Sequence, residues 1–190
     1  MLLVNPESQE LLTEMIELVS TATNTQERAN ELLSYMASQK TMLSDKLADV
    51  EPESVYLAGN SSLLSTAGPA MYQSSMIELA GGSYALDDAQ TASASGSSVT
   101  LEMERFYATA KDADIIVYNG TIDESVATLN GFVGKNALLS QFKAVKNGNV
   151  WVTSADMYQQ MTSTADIIDE LHGAFTGDDA SDFHYLRKLG

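Results

Sequence analysis

Groups that could act as nucleophiles, general bases or metal ligands are sparse in this chain, and none falls into a catalytic spacing. Gly-x-Ser-x-Gly, His-Glu-x-x-His and P-loop patterns are all missing from the sequence. There is no cysteine, which removes disulfides, thiolate metal sites and cysteine nucleophiles together. The two histidines, His172 and His184, fall near the C-terminus in a helical pattern and read as surface or helix-end residues. Asp178, Asp179 and Asp182 lack the regular spacing of a calcium loop. Asp87-Asp88 reads as a solvated turn, and Gly81-Gly82 as a helix stop rather than a dinucleotide fingerprint. What remains is hydrogen-bonding chemistry. Ser61, Ser62, Asn119, Ser154, Tyr158, Gln159 and Gln160 offer hydroxyl, amide and phenol groups suited to holding a small molecule. No resident cofactor and no metal site is expected, and no enzyme activity.

The elements needed to bring those groups together are legible in the apolar pattern. Residues 55–58, 115–118 and 150–153 are short apolar runs, each followed by Gly, Asn or Ser, as buried parallel strands are. Helical patterns separate them: one around residues 69–80, one capped by Thr100 with Glu102 and Glu104 in its first turn, and one after the capping box Thr121-x-x-Glu124. A last helix opens at Ser163 or Thr164 and carries Ile168, Leu171 and Phe175 on one face. Alternation of strand and helix predicts a three-layer α/β/α lobe with a mainly parallel sheet. Ligands of such sheets sit beyond the carboxyl ends of the strands, here residues 60–68, 119–123 and 154–161. All three segments, and residues 90–98, read as loops.

Before Pro52 the pattern is helical. Asn5-Pro6-Glu7 starts a helix with Leu11, Leu12, Met15, Ile16, Val19 and Ala22 at helical spacing. Asn24 caps a second helix with Glu27 reaching back, and Ala29, Leu32, Leu33, Met36, Leu43, Leu47 and Val50 form its stripe. A helix over residues 25–49 is about 37 Å long, enough to bridge two bodies or pair with another chain. The expected division is therefore a helical segment over 1–50 and an α/β ligand-binding lobe over 51–190. The formal net charge of −16 argues against nucleic acid and anionic lipid as partners. No stretch approaches the roughly 20 apolar residues of a membrane span.

The order and spacing of four segments resemble one family. These are Ile77-Glu78-Leu79-Ala80-Gly81-Gly82, Val99-Thr100-Leu101-Glu102, Asp112-Ala113-Asp114-Ile115-Ile116-Val117 and Lys143-Ala144-Val145-Lys146-Asn147-Gly148-Asn149-Val150-Trp151. They resemble the C-terminal lobe of the extracytoplasmic solute-binding proteins of ABC importers for iron-siderophores, haem and cobalamin. That resemblance implies two lobes joined by a long helix, with an iron chelate, haem or corrinoid clamped between them. Residues 25–49 look like the connecting helix, and residues 11–21 like the helix before it. The strand-end loops become ligand-facing, with Ser61, Ser62, Asn119, Ser154, Tyr158 and Gln159 as the contact residues. Glu78 matches a glutamate that engages an arginine of the ABC permease. The resemblance further implies a missing N-terminal lobe and lipoprotein leader, a periplasmic or membrane-anchored setting for the full-length form, and a lone lobe whose exposed helices pair as a homodimer. The alternative is a non-catalytic interaction or dimerisation protein built from a truncated lobe.

Overall fold

A computed structural model describes residues 9–47, 54–58, 65–67, 72–85, 98–101, 103–121, 123–155, 157 and 163–190. Two helices come first, α1 (Gln9–Thr23) and α2 (Gln26–Leu47). The expected start at Asn5-Pro6-Glu7 lies outside the described residues. Asn24 does not cap α2. It takes a left-handed conformation (φ 58°), and the Thr25 N–H returns 2.9 Å to the Ser20 carbonyl, the bond that closes a Schellman end on α1. The Thr25 carbonyl accepts the first helical bond of α2, from Ala29, so the boundary falls one residue later than the capping box implies. An asparagine followed by threonine satisfies both motifs locally, and the reversal of the chain decides between them.

At 22 residues α2 is about 33 Å long, and it packs against α1 and the last long helix of the lobe. Ala29 is buried and Leu32, Leu33 and Met36 are partly buried, whereas the side chains of Leu43 and Leu47 are not described. On α1 the six-residue stripe is only partly used: Leu12 is buried, but Leu11 and Val19 are exposed, as is Leu18 beside them. The apolar arc of α1 is wider than the face α2 covers.

The lobe follows as β1 (Ser54–Ala58), β2 (Ser65–Ala67), α3 (Tyr72–Leu79), β3 (Ser83–Tyr84), β4 (Ser98–Thr100), α4 (Met103–Ala110) and β5 (Ile115–Tyr118). Then come α5 (Leu129–Lys135), a 3-10 turn (Ala137–Gln141), α6 (Lys143–Lys146), β6 (Val150–Thr153), α7 (Thr164–Thr176), a second 3-10 turn (Ala180–Asp182) and β7 (Leu186–Lys188). One five-stranded sheet has the order β3-β1-β5-β6-β7. Its first four strands are parallel, with Val55 beside Ile115 and Val117 beside Trp151, and β7 runs antiparallel on the outer edge.

Alternation along β5 and β6 divides the core. Ile116, Tyr118, Val150 and Val152 face α4, α5 and α6, packing with Phe106, Phe132 and Phe142. Ile115, Val117 and Trp151 face α3 and α7, packing with Met76, Ile77, Ile167 and Leu171. All eight residues of these two strands are buried, as central strands covered on both sides must be. The three-layer α/β/α arrangement with a mainly parallel sheet is the one the sequence predicts. Gly81 (φ 87°) ends α3 as expected, with Gly82 N–H reaching the Ile77 carbonyl at 2.9 Å.

Three local expectations fail. Residues 65–67 and 98–100, expected in loops or as a cap, form a small antiparallel pair with Ser65 beside Thr100 and Ala67 beside Ser98. Its two runs, Ser-Thr-Ala and Ser-Val-Thr, are three residues each, too short to show a strand period, so only the pairing reveals them. Thr100 is therefore a strand residue, and α4 begins at Met103 with Glu104 in its first turn. No helix starts at Thr121-x-x-Glu124. The chain turns irregularly until Thr128 caps α5 by accepting from the Gly131 N–H.

Candidate ligand-binding site

The carboxyl ends of β5 and β6 are side by side, and a set of short-range bonds fixes the chain as it leaves them. Asn119 is buried, and its Oδ1 accepts from the Thr121 N–H at 3.1 Å. The Gly120 N–H donates to Thr153 Oγ1 at 2.9 Å. A Cβ at position 120 would fall 2.1 Å from the Thr153 carbonyl oxygen and 2.9 Å from Val152 Cγ2, so only glycine lets the two strand ends approach this closely. Thr121 Oγ1 then donates to the Ser154 carbonyl at 3.1 Å, tying the loop after β5 to the loop after β6. Ser154 is held in turn by the residue before β7, its N–H donating 2.8 Å to the Tyr185 carbonyl. The Ser154 hydroxyl is shielded from solvent and has no hydrogen-bond partner among the described residues.

Behind this edge one carboxylate gathers four donors. Asp123 accepts from Tyr118 Oη (2.8 Å), Lys135 Nζ (2.7 Å), Ser125 Oγ (2.6 Å) and the Ser125 N–H (3.0 Å). Lys135, then Ser125 and Tyr118, hold the Asp123 carboxyl well below the usual carboxylate range. Burial, reinforced by Asp123, pushes the Tyr118 phenol above its ordinary value. Phe132 meets the Tyr118 ring edge-on at 5.5 Å. The loop over residues 119–128 is thus pinned at its root, at Asp123 and at Thr121.

An open groove of about 610 Å³ runs along this end of the sheet, lined by Gly120, Glu124, Thr153, Ser154, His184 and Arg187 among others. Its outer wall is β7. Glu170 of α7 fixes that strand by accepting from the N–H groups of His184, Tyr185 and Leu186 at 2.7, 2.8 and 2.9 Å. The Arg187 guanidinium reaches back to the carbonyls of Ala127 and Val126 at 2.9 and 3.4 Å.

Of the expected contact residues, Asn119 and Ser154 are brought to the same edge, linked through Thr121. Ser61, Ser62, Tyr158, Gln159 and Gln160 lie outside the described residues. Glu78 is exposed in the last turn of α3. Because Gly82 leads directly into β3, which is parallel to β1, Glu78 sits at the amino-terminal edge of the sheet, opposite the carboxyl ends of the strands. His172 departs from expectation. It is buried, with its Nδ1 3.2 Å from the Ala80 carbonyl, where it joins α7 to the end of α3. His184 is exposed but precedes β7 in an irregular segment rather than a helix. Asp123, Lys135, Glu170 and Arg187 are residues that sequence reasoning did not single out, and Thr121 reads there only as a helix cap. The one signal for Gly120 was its place at the end of an apolar run.

A family model described as periplasmic binding protein matches residues 1–157. The chain belongs to that family. It is a family of binding proteins, which accords with the absence of any catalytic spacing in the sequence. No curated protein sequence matches the chain. Among solved structures, an ABC transporter substrate-binding protein from Listeria monocytogenes EGD-e is 16% identical with a TM-score of 0.74, over 90% of this chain and 66% of its own. S. aureus IsdE, complexed with heme, is 19% identical with a TM-score of 0.72, over 89% and 65%. The periplasmic vitamin B12 binding protein BtuF of Vibrio cholerae is 16% identical with a TM-score of 0.66, over 90% and 62%. These likenesses establish a shared α/β fold. The chain spans less than two thirds of the length of each of these structures.

Proposed function

We propose that this chain is the C-terminal lobe, with its connecting helix, of the extracytoplasmic substrate-binding component of an ABC importer for an iron-siderophore, haem or corrinoid. The supporting observation is the bond from Thr121 to the Ser154 carbonyl. It makes one preorganised wall of two loops that leave adjacent parallel strands, where ligands of open α/β sheets bind. Membership of the periplasmic binding protein family and the heme and vitamin B12 complexed or named among similar structures support the same reading. In this reading α2 is the connector, a second lobe supplies the facing wall, and the ABC permease is the docking partner. Glu78 is the docking residue. Its position across the sheet from the loops makes docking and ligand contact separable.

The test uses Trp151, the sole indole of the chain, which lies in β6 three residues before Ser154, its ring centroid 5.9 Å from that of Phe183. Haemin, cyanocobalamin or a coloured ferric siderophore bound at this edge quenches its emission by energy transfer. One wall alone leaves the ligand hydrated on its other side, so affinity is expected in the micromolar range or weaker, about −8 kcal/mol or less in magnitude. Quenching by none of these probes would remove the ligand role.

A second reading is supported by a different observation. The exposed large apolar side chains among the described residues, Leu11, Leu18, Val19, Tyr35 and Met42, all lie on α1 and α2. Exposed apolar side chains of this kind suit association, and a homodimer through these helices is the interaction-protein alternative. Sedimentation equilibrium separates the two: a monomer at tens of micromolar excludes the dimer.

A further inference from the structure

The groove beside β7 reverses the charge balance of the chain. Asp and Glu outnumber Lys and Arg by 26 to 10 in the sequence. Among the described residues, however, the groove is lined by Arg187, Lys188 and His184 against one carboxylate, that of Glu124. Glu170, the acid bonded to this strand, is taken up by the N–H groups of His184, Tyr185 and Leu186 and does not line the groove. At about 610 Å³ the groove is large enough for a small molecule.

Arg187 is held in place without being neutralised. Its guanidinium donates to the carbonyls of Ala127 and Val126 at 2.9 and 3.4 Å. Those acceptors are uncharged, so they fix the fork and leave its charge, and a guanidinium has further N–H donors to offer. Neither Arg187 nor Lys188 forms an ion pair with a carboxylate among the described residues. Lys188 Nζ lies instead 5.6 Å from the Trp151 ring centroid. The same groove has an apolar wall, to which half-buried Phe183 and buried Leu186 contribute.

We propose that the groove beside β7 is a site for a small organic carboxylate. Its anionic end meets the Arg187 guanidinium in the field of Lys188, and its hydrocarbon end follows Phe183 and Leu186. A fixed guanidinium fork suits the two oxygens of a carboxylate, and charge-assisted bonds of this kind are the strong ones. A phosphate dianion would meet Glu124 with twice the charge and gain nothing from the apolar wall. This site needs no metal chelate and goes beyond the role proposed above.

The experiment is a backbone amide chemical-shift titration of the 190-residue protein with hexanoate, its neutral counterpart hexan-1-ol, and inorganic phosphate. At about 0.15 M salt the Debye length is about 8 Å, so the field of the distant acids is largely screened. Hexanoate is expected to move the amides of residues 184–188 saturably. It should bind about tenfold more tightly than hexan-1-ol or phosphate, the step that one hydrogen bond to a charged group supplies. Arg187→Gln should weaken hexanoate about tenfold, and Arg187→Lys, which keeps the charge but not the fork, about threefold. Glu124→Gln, at an exposed position on the groove, should tighten it about two- to threefold, a gain that a disturbed fold does not produce. Binding of hexan-1-ol or phosphate as tight as that of hexanoate would overturn the carboxylate assignment. So would the absence of saturable shifts at residues 184–188, or hexanoate binding untouched by Arg187→Gln. The titration contains no chelate, so none of these outcomes bears on the importer role.

Discussion

Replacing Gly120 by alanine forces a methyl group into the junction between β5 and β6. The added Cβ would lie 2.1 Å from the Thr153 carbonyl oxygen and 2.9 Å from Val152 Cγ2. The first neighbour is backbone in a buried strand, so it cannot swing away as a side chain tip would. Relief requires the loop after β5 to move outward. That costs roughly 1–3 kcal/mol by the usual toll of overpacking, and it breaks the 2.9 Å bond from Gly120 N–H to Thr153 Oγ1, about 0.5–1.5 kcal/mol more. A total of about 2–4 kcal/mol corresponds to a fall in melting temperature of roughly 5–15 °C for a chain of this size. Gly134→Ala is the control of opposite sign. Nothing lies within 4 Å of its added Cβ in α5, so helix propensity should raise stability by about 0.5–1 kcal/mol. Urea denaturation and calorimetry measure both. A Gly120→Ala protein that melts within about 1 °C of the parent would refute the close approach of the strand ends on which the site depends.

Three further outcomes are expected. The Asp123 carboxyl is depressed by its donors, so its contribution to stability is full above its ordinary value near 4 and is lost as pH falls through the lowered one. Urea titrations of Asp123→Asn should therefore lose less stability than the parent between about pH 4 and pH 2, and equal slopes would mean the cluster does not hold the folded state. Glu170→Ala leaves three N–H groups without their acceptor and should cost about 1.5–3 kcal/mol. Hydrogen exchange should accelerate first at residues 184–186, and uniform acceleration across the sheet would count against a local clamp. Glu78→Lys in the full-length importer component should leave ligand affinity unchanged and slow uptake at low salt, since an exposed rim charge acts mainly on encounter; unchanged uptake would leave Glu78 an ordinary surface acid.

The sequence disclosed the elements whose signals are contained within them. Ile115–Tyr118 is an apolar run of four residues and Val150–Trp151–Val152 one of three closed by Thr153, and all eight residues are buried in one sheet. Gly81-Gly82 ends α3 where a glycine pair should, because a left-handed terminus is a local preference. What escaped reading depends on partners far along the chain. Thr121 looks like a helix cap until Ser154, 33 residues on, takes its hydroxyl. His172 reads as a helix-end residue until the Ala80 carbonyl, 92 residues away, meets its ring in the core. Asp123 is only the end of a strand-end segment in the sequence, and Lys135, 12 residues later, together with Tyr118 makes it a junction. Ser65–Ala67 and Ser98–Thr100 pair across a wide separation, in runs of three residues that are too short to show a strand period. The site shows the same division. Asn119 and Ser154 could be named because strand ends are legible, while the bonds that fix their loops could not.

In the proposed role a ligand sits at the carboxyl edge of β5 and β6. Backbone amide chemical-shift mapping tests this most directly, with a gallium(III) trihydroxamate replacing the paramagnetic iron complex. Saturating titration is predicted to move the amides of Asn119, Gly120, Thr121 and Ser154 most, with those of Glu78 and residues 143–149 at the opposite edge unmoved. Shifts concentrated on α1 and α2 or at the amino edge of the sheet, with Asn119 to Thr121 silent, would contradict it.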